Sequence, residues 1–346
     1  MIERPVTFRS KGEDLVGILC LPEQRARTPE VGMVFAQSGS RGRLGNTFHY
    51  PYLARRFAEA GIPTLRFDPA GLGDSTGTIP AGDMRDLYGR IGAGLFVEDT
   101  LNAIEEFTRH VRPQRLLVFG VCGGAATALL TAPRSPKVDG AILLSLPVLL
   151  DGAGSTAVSW LPKSYARDVL VKSYAGKLLS FRAWTRFLTG KSDTRRILEF
   201  AVASVRRDRH GGKRSQAPEH HPNPRFNHHT LEAMDALTER GKRVLVLFGQ
   251  EDGFRHYWES EFHRVYWDHR PNFRRHIEVH YVAGCNHMFT LREWQNKAVE
   301  LSMAWLEAAE REQSTGKRPG QAEVPVSPGE PMKAETHASQ RSGAVR

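Results

Sequence analysis

Apolar and polar residues follow two rhythms along the first 150 positions. Val16 to Leu21 alternates as a half-covered strand does and predicts an edge strand, whereas Val31 to Ala36 is an unbroken apolar run suited to a strand buried on both faces. Between such runs the spacing widens to that of a helix. Leu53, Ala54 and Phe57 share one face of a helix predicted from Tyr50 to Ala60, and a longer helix is predicted from Leu95 to Val111. Leu116 to Phe119 reads as a strand, Ala125 to Leu130 as the helix after it, and Val138 to Pro147 as another strand. Lys242 to Gly249 and His276 to Gly284 supply two more. Strands alternating with helices predict an α/β fold with a doubly wound, mostly parallel sheet. After Pro147 the period changes, and residues 151 to about 230 read as helices rich in Tyr, Trp, Phe and Leu. The expected organisation is a core over 1–150, a helical cap insertion over 151–235, the rest of the core over 236–310 and a disordered tail over 311–346.

Chemistry enters where strands end. Gly120-Val121-Cys122-Gly123-Gly124 follows the Leu116 to Phe119 run and precedes a helix. A chain that turns this sharply forces its central residue into a strained conformation, with the side chain pointing into a cleft and glycine neighbours making room. Cys122 is therefore the candidate nucleophile, beside a helix N-terminus that favours a thiolate. Two later strands supply partners. The first runs into Gln250-Glu251-Asp252-Gly253, where Asp252 is the expected acid and Glu251 the alternative should Asp252 serve only as a helix cap. The second gives way to Cys285-Asn286-His287, which makes His287 the expected base, with Cys285 packing. The loop after Val31 to Ala36 would add a backbone donor from Ser38 or Gly39 to that of Gly123, forming an oxyanion hole. Arg43, His49 and the cap residues Trp160 and Trp184 are candidates for contact with substrate. Asp68, Gly71, Gly73 and Ser75 read as turn residues.

The chain order nucleophile, acid, histidine resembles that of the α/β-hydrolase superfamily over roughly residues 5 to 310. The turn Arg66-Phe67-Asp68-Pro69-Ala70-Gly71-Leu72-Gly73-Asp74-Ser75 is similar to that superfamily's D-x-x-G-x-G-x-S segment, and Asp99 stands where it often keeps an acidic residue. Within the superfamily the chain is most similar to exosortase system-associated α/β-hydrolases, through Gly39 to Gly45 with Arg43, Leu53-Ala54-Arg55, the Asp68 turn and the G-x-C elbow. That resemblance implies a link to exopolysaccharide production and protein sorting. The thiol resembles that of dienelactone hydrolases, which implies the cysteine, aspartate and histidine roles given above. Gln37-Ser38 stands where the superfamily has His-Gly.

Composition narrows the setting. Three cysteines without paired spacing argue against a disulfide framework and for a reducing compartment, and the N-terminus carries no apolar leader. No apolar run reaches about 18 residues. A cytoplasmic protein without an integral membrane segment is expected. Between residues 151 and 230, 15 Lys and Arg stand against 6 Asp and Glu, in a chain whose net charge is +10. Such a lid would concentrate an anionic substrate, and it equally fits an acidic lipid surface, a polyanionic polysaccharide or an ordinary solvated helical face. No basic and aromatic nucleic-acid motif is present. His210, His220, His221, His228 and His229 lack ligand spacing, so no metal is expected, and no cofactor is called for. The partner expected is a small acyl substrate: an ester, thioester or lactone, because a thiolate leaves a tetrahedral adduct more readily than an amine does. The other reading is a binding or scaffold protein that keeps the fold without turnover.

Overall fold

Interior strands reveal themselves by having no wet face. In the computed structural model, which describes residues 1–24, 28–37, 39–80, 82–150 and 221–315, β3 (Val31–Phe35), β5 (Arg115–Val121), β6 (Val138–Leu144) and β7 (Arg243–Gly249) are buried over nearly their whole length. Helices cover such strands on both faces, so both must be apolar. With β1 (Ile2–Ser10), β2 (Glu13–Leu21), β4 (Thr64–Phe67) and β8 (Ile277–Val282) they form one eight-stranded sheet, ordered β1-β2-β4-β3-β5-β6-β7-β8. The β1/β2 and β2/β4 pairs are antiparallel, and the five pairings from β4 to β8 are parallel. The sheet is therefore mostly parallel, as the alternation of strands and helices predicts.

The edge differs from expectation. Val16 to Leu21 belongs to β2, which lies inside the sheet, while β1 takes the outer position. β1 alternates exposed residues with buried Val6, Phe8 and Ser10, and Lys11 and Gly12 close the hairpin with positive φ of 50° and 87°. Scattered charges along β1 mask that alternation in the sequence.

Helices α1 (His49–Glu59), α2 (Met84–Gly92), α3 (Val97–His110) and α4 (Gly123–Thr131) connect the strands. Phe35 of β3 stacks on Phe119 of β5 at 4.4 Å between ring centroids, and Phe57 and Tyr50 of α1 meet them edge-on. These contacts join α1 to the ends of the two strands that carry the site. The helix His228–Glu239 packs against α4, so the expected cap boundary at 235 falls inside a helix of the core. Residues 151–220 of the expected cap lie outside the described residues. The helix Arg292–Thr315 continues past the expected end of the core at 310. Residues Met1–Trp305 form one compact unit, and the end of this helix, from Leu306, belongs to a second. No helix among the described residues is long and apolar enough to cross a membrane.

Candidate active site

The elbow is built by steric exclusion. Cys122 sits between β5 and α4 with φ 55° and ψ −119°, a conformation costly for a side chain of L configuration. A methyl group on Gly120 would stand 2.1 Å from the Gly124 carbonyl oxygen, and one on Gly124 would stand 2.5 Å from that of Gln37. Neither position tolerates a larger residue. Tyr50 then locks the turn from below: its hydroxyl donates to the Ala36 carbonyl at 2.7 Å and accepts from the Val121 N–H at 3.0 Å. Sequence reading places Tyr50 in the α1 helix and gives no sign that its hydroxyl serves the elbow.

The acid and base come from the next two loops. Asp252 caps the short helix Gly253–Tyr257, accepting the Phe254 N–H at 2.9 Å, and the same carboxylate oxygen accepts from His287 Nδ1 at 2.9 Å. Capping and pairing with His287 thus coexist, while Glu251 faces solvent. Gly249 allows the two loops to approach, since a methyl group there would lie 2.3 Å from the Cys285 carbonyl oxygen. The Phe254 ring meets the imidazole edge-on at 4.4 Å. Cys122 lies close enough to the imidazole to help raise its pKa. The structure therefore places the elbow thiol near His287, which Asp252 holds at 2.9 Å.

Charge organises this trio. Burial pulls the His287 pKa down, but the charge and hydrogen bond of Cys122 together with those of Asp252 outweigh it and raise it to about 10. Burial pushes Asp252 up, yet hydrogen bonds from His287, Ser145 and the Phe254 N–H bring it below its ordinary value. The other two thiols are different: burial raises Cys20 to about 11 and Cys285 to about 12, which keeps both neutral.

Ser145 has no counterpart in the sequence reading. It lies just past β6, fully buried, with φ 52°, and its hydroxyl donates to the His287 carbonyl at 2.9 Å. The same hydroxyl lies close enough to the Asp252 carboxylate to help lower its pKa, while Asp252 Oδ2 has no hydrogen-bond partner among the described residues. Its signal in the chain is only its place after an apolar strand. Helix α2 is a second omission. Capped by Asp83, it sets the Tyr88 ring over Gly39 and Ile91 over Gly123. Leu87 and Ile91, four apart, were its legible trace.

Among the oxyanion candidates, Gly123 opens α4, where backbone N–H groups lack helical partners, and its Cα faces the Gly39 backbone. Gln37, fully buried, donates from Nε2 to the Gly39 carbonyl and so shapes this loop. Ser38, Trp160 and Trp184 lie outside the described residues. Arg43 and His49 are placed otherwise than as substrate contacts. The Arg43 guanidinium pairs with Asp68 and Asp74, joining the loop after β3 to the turn after β4. His49 is fully buried, with Nδ1 on the Asn46 carbonyl, and burial lowers its pKa to about 4. The Asp68 turn is structural: Asp68 also accepts the Arg43 and Asp74 N–H groups, and Ser75 donates to its carbonyl. Asp99 holds that turn through the Ala70 N–H and Ser10. Among the described residues no group of three or more His, Cys, Asp or Glu side chains is placed to hold a metal ion.

Solved structures share this architecture. DcsB in complex with its substrate analogue is similar with a TM-score of 0.52 and 13% identity, over 88% of this chain and 99% of that one. The hypothetical protein PA2218 from Pseudomonas aeruginosa gives 0.50 and 18%, over 88% and 93%. The α/β hydrolase GrgF from Penicillium sp. sh18 gives 0.47 and 15%, over 92% and 100%. The fold is that of the α/β-hydrolases. At such identities the likeness to these proteins is one of fold alone. No protein-family model matches the sequence, and no curated protein does.

Proposed function

We propose that the protein is a thiol-dependent hydrolase or acyltransferase acting on a small ester, thioester or lactone. The observation that carries this reading is Cys122 at a strained elbow, near a histidine that is itself held 2.9 Å from a buried aspartate. In the reaction the Cys122 sulfur attacks the acyl carbon, and the carbonyl electron pair moves onto oxygen, facing the Gly123 N–H and the loop that carries Gly39. The adduct collapses as the bond to the leaving group breaks, and His287 gives its proton to that group. Water or an acceptor alcohol then loses a proton to His287 and displaces the thiol from the acyl-enzyme. Asp252 holds the imidazole tautomer throughout. The link to exopolysaccharide production implied by the sequence resemblance belongs to this proposal as its cellular setting.

Hydrolysis of short-chain p-nitrophenyl esters by the purified protein, Cys122→Ala and His287→Ala tests it. Wild type is expected to turn over, with each variant slower by about 10³-fold or more. Equal rates for all three would leave the fold as a binding scaffold. Iodoacetamide with peptide mapping gives a second measure: Cys122 should alkylate well before Cys20 and Cys285.

A further inference from the structure

A concave site whose lining includes none of Cys122, Asp252 and His287 lies between the loop after β3, helix α1, strand β4 and the start of the helix Arg292–Thr315. It is a cavity of about 310 Å³, within the range of small-molecule sites. Its lining joins an apolar set, Leu44, Phe48, Pro51 and Tyr52, to three arginines, Arg55, Arg66 and Arg292.

The charges around this cavity do not balance. Arg55 and Arg66 share one carboxylate, that of Glu3, at 2.8 and 3.0 Å. Arg66 is 94% buried by side chain, and its Nε, sealed from solvent, has no hydrogen-bond partner among the described residues. Burying a charge so poorly compensated is costly, and a further anion beside this guanidinium would lower the cost. Arg292 lies 4.0 Å above the Tyr52 ring centroid and, among the described residues, bonds the Gln295 side chain and pairs with no carboxylate. Two more positive charges than negative ones therefore line an otherwise greasy hollow.

The apolar lining is also held open. Thr47 and Phe48 are successive non-glycine residues with φ of 50° and 57°, and Phe48 and Leu44 remain 63% and 40% exposed. A backbone strained at two adjacent residues to present a phenyl ring to solvent beside unmatched guanidinium groups is a ligand-binding arrangement. We propose that this cavity binds an amphiphilic anion, with an acyl tail along Leu44, Phe48 and Pro51 and an anionic head on Arg66 and Arg292. The inference does not depend on the chemistry at Cys122.

Calorimetric titration with octanoate, octyl phosphate and 1-octanol tests it on the full-length protein. Octanoate and octyl phosphate should bind and octanol should not, the tighter of the two anions naming the head group. Arg292→Gln should weaken octanoate about tenfold, as loss of one charge-assisted hydrogen bond does. Phe48→Asn, which suits a left-handed backbone, should weaken it by a similar factor. Both residues are exposed and Asn relieves the left-handed strain, so the thermal midpoint without ligand should not fall. Octanol binding as tightly as octanoate would overturn the proposal, and so would binding that survives the double variant. Octanoate binding lost on alkylation of Cys122 would place the ligand at the thiol instead and overturn it equally.

Discussion

At the scale of single residues, the trio's behaviour follows from where its charges sit. His287 carries its proton to about pH 10 because its contacts with Cys122 and Asp252 outweigh the cost of its burial. An imidazolium that must protonate a leaving group is useful below that pH and spent above it. Ester hydrolysis should therefore fall as pH rises through about 10. Asp252→Asn removes the carboxylate, so the fall should move toward the ordinary histidine value, which a pH–rate profile of kcat/KM will show. Ser145 acts one step further out. Its hydroxyl helps keep Asp252 below its ordinary pKa. Ser145→Ala should cut kcat roughly tenfold, the effect of losing the hydrogen bond that holds the His287 carbonyl, and should move the acidic limb of the profile upward. A purely structural serine would lower stability and leave that limb in place. Cys122 and His287 could be named from sequence because each follows a readable strand. Ser145 could not, since any polar residue might end β6, and its role depends on two loops distant in the chain.

At the scale of elements, β5, the elbow and α4 act as one unit because close contacts leave no slack. Tyr50 bridges the ends of β3 and β5 at this point through two hydrogen bonds. Tyr50→Phe removes both of them from the interior, so urea unfolding should show a loss of about 1–3 kcal/mol. If the elbow depends on this clamp, ester hydrolysis should fall by more than the folded fraction does. Strand and helix centres were legible here because interior parallel strands are continuously apolar and α1 and α3 are strongly amphipathic. β1 and α2 were not. Charged residues outnumber the alternating apolar positions of β1, and α2 is short, with three glycines at or beside its ends and only a small satellite cluster to bury, of Leu87, Ile91 and Phe96.

At the scale of the whole molecule, the nucleophile rests on a central strand and its partners toward a margin. β5 is flanked on both sides and almost wholly buried, whereas β8 closes the sheet and is half-exposed from Glu278 to Tyr281. Margins open before centres do. In a urea series, hydrolysis should therefore be lost at a lower concentration than the far-ultraviolet circular dichroism signal. Coincident loss of both would mean that the β8 edge and the His287 loop unfold only with the core.

What the chain's order of residues determined by itself is local: where apolar runs make buried strands, where glycines permit an elbow, and which nucleophile, carboxylate and imidazole follow strand ends. These are properties of a few neighbouring residues and need no knowledge of the rest. Only the tertiary structure decided that Arg43 spends its charge on Asp68 and Asp74, that His49 is sealed inside, that Tyr50 and Ser145 serve the site, and that three arginines from separate elements share one hollow. Each of those outcomes depends on which distant groups a side chain meets, and distance along the chain says nothing of that until the sheet has brought them together.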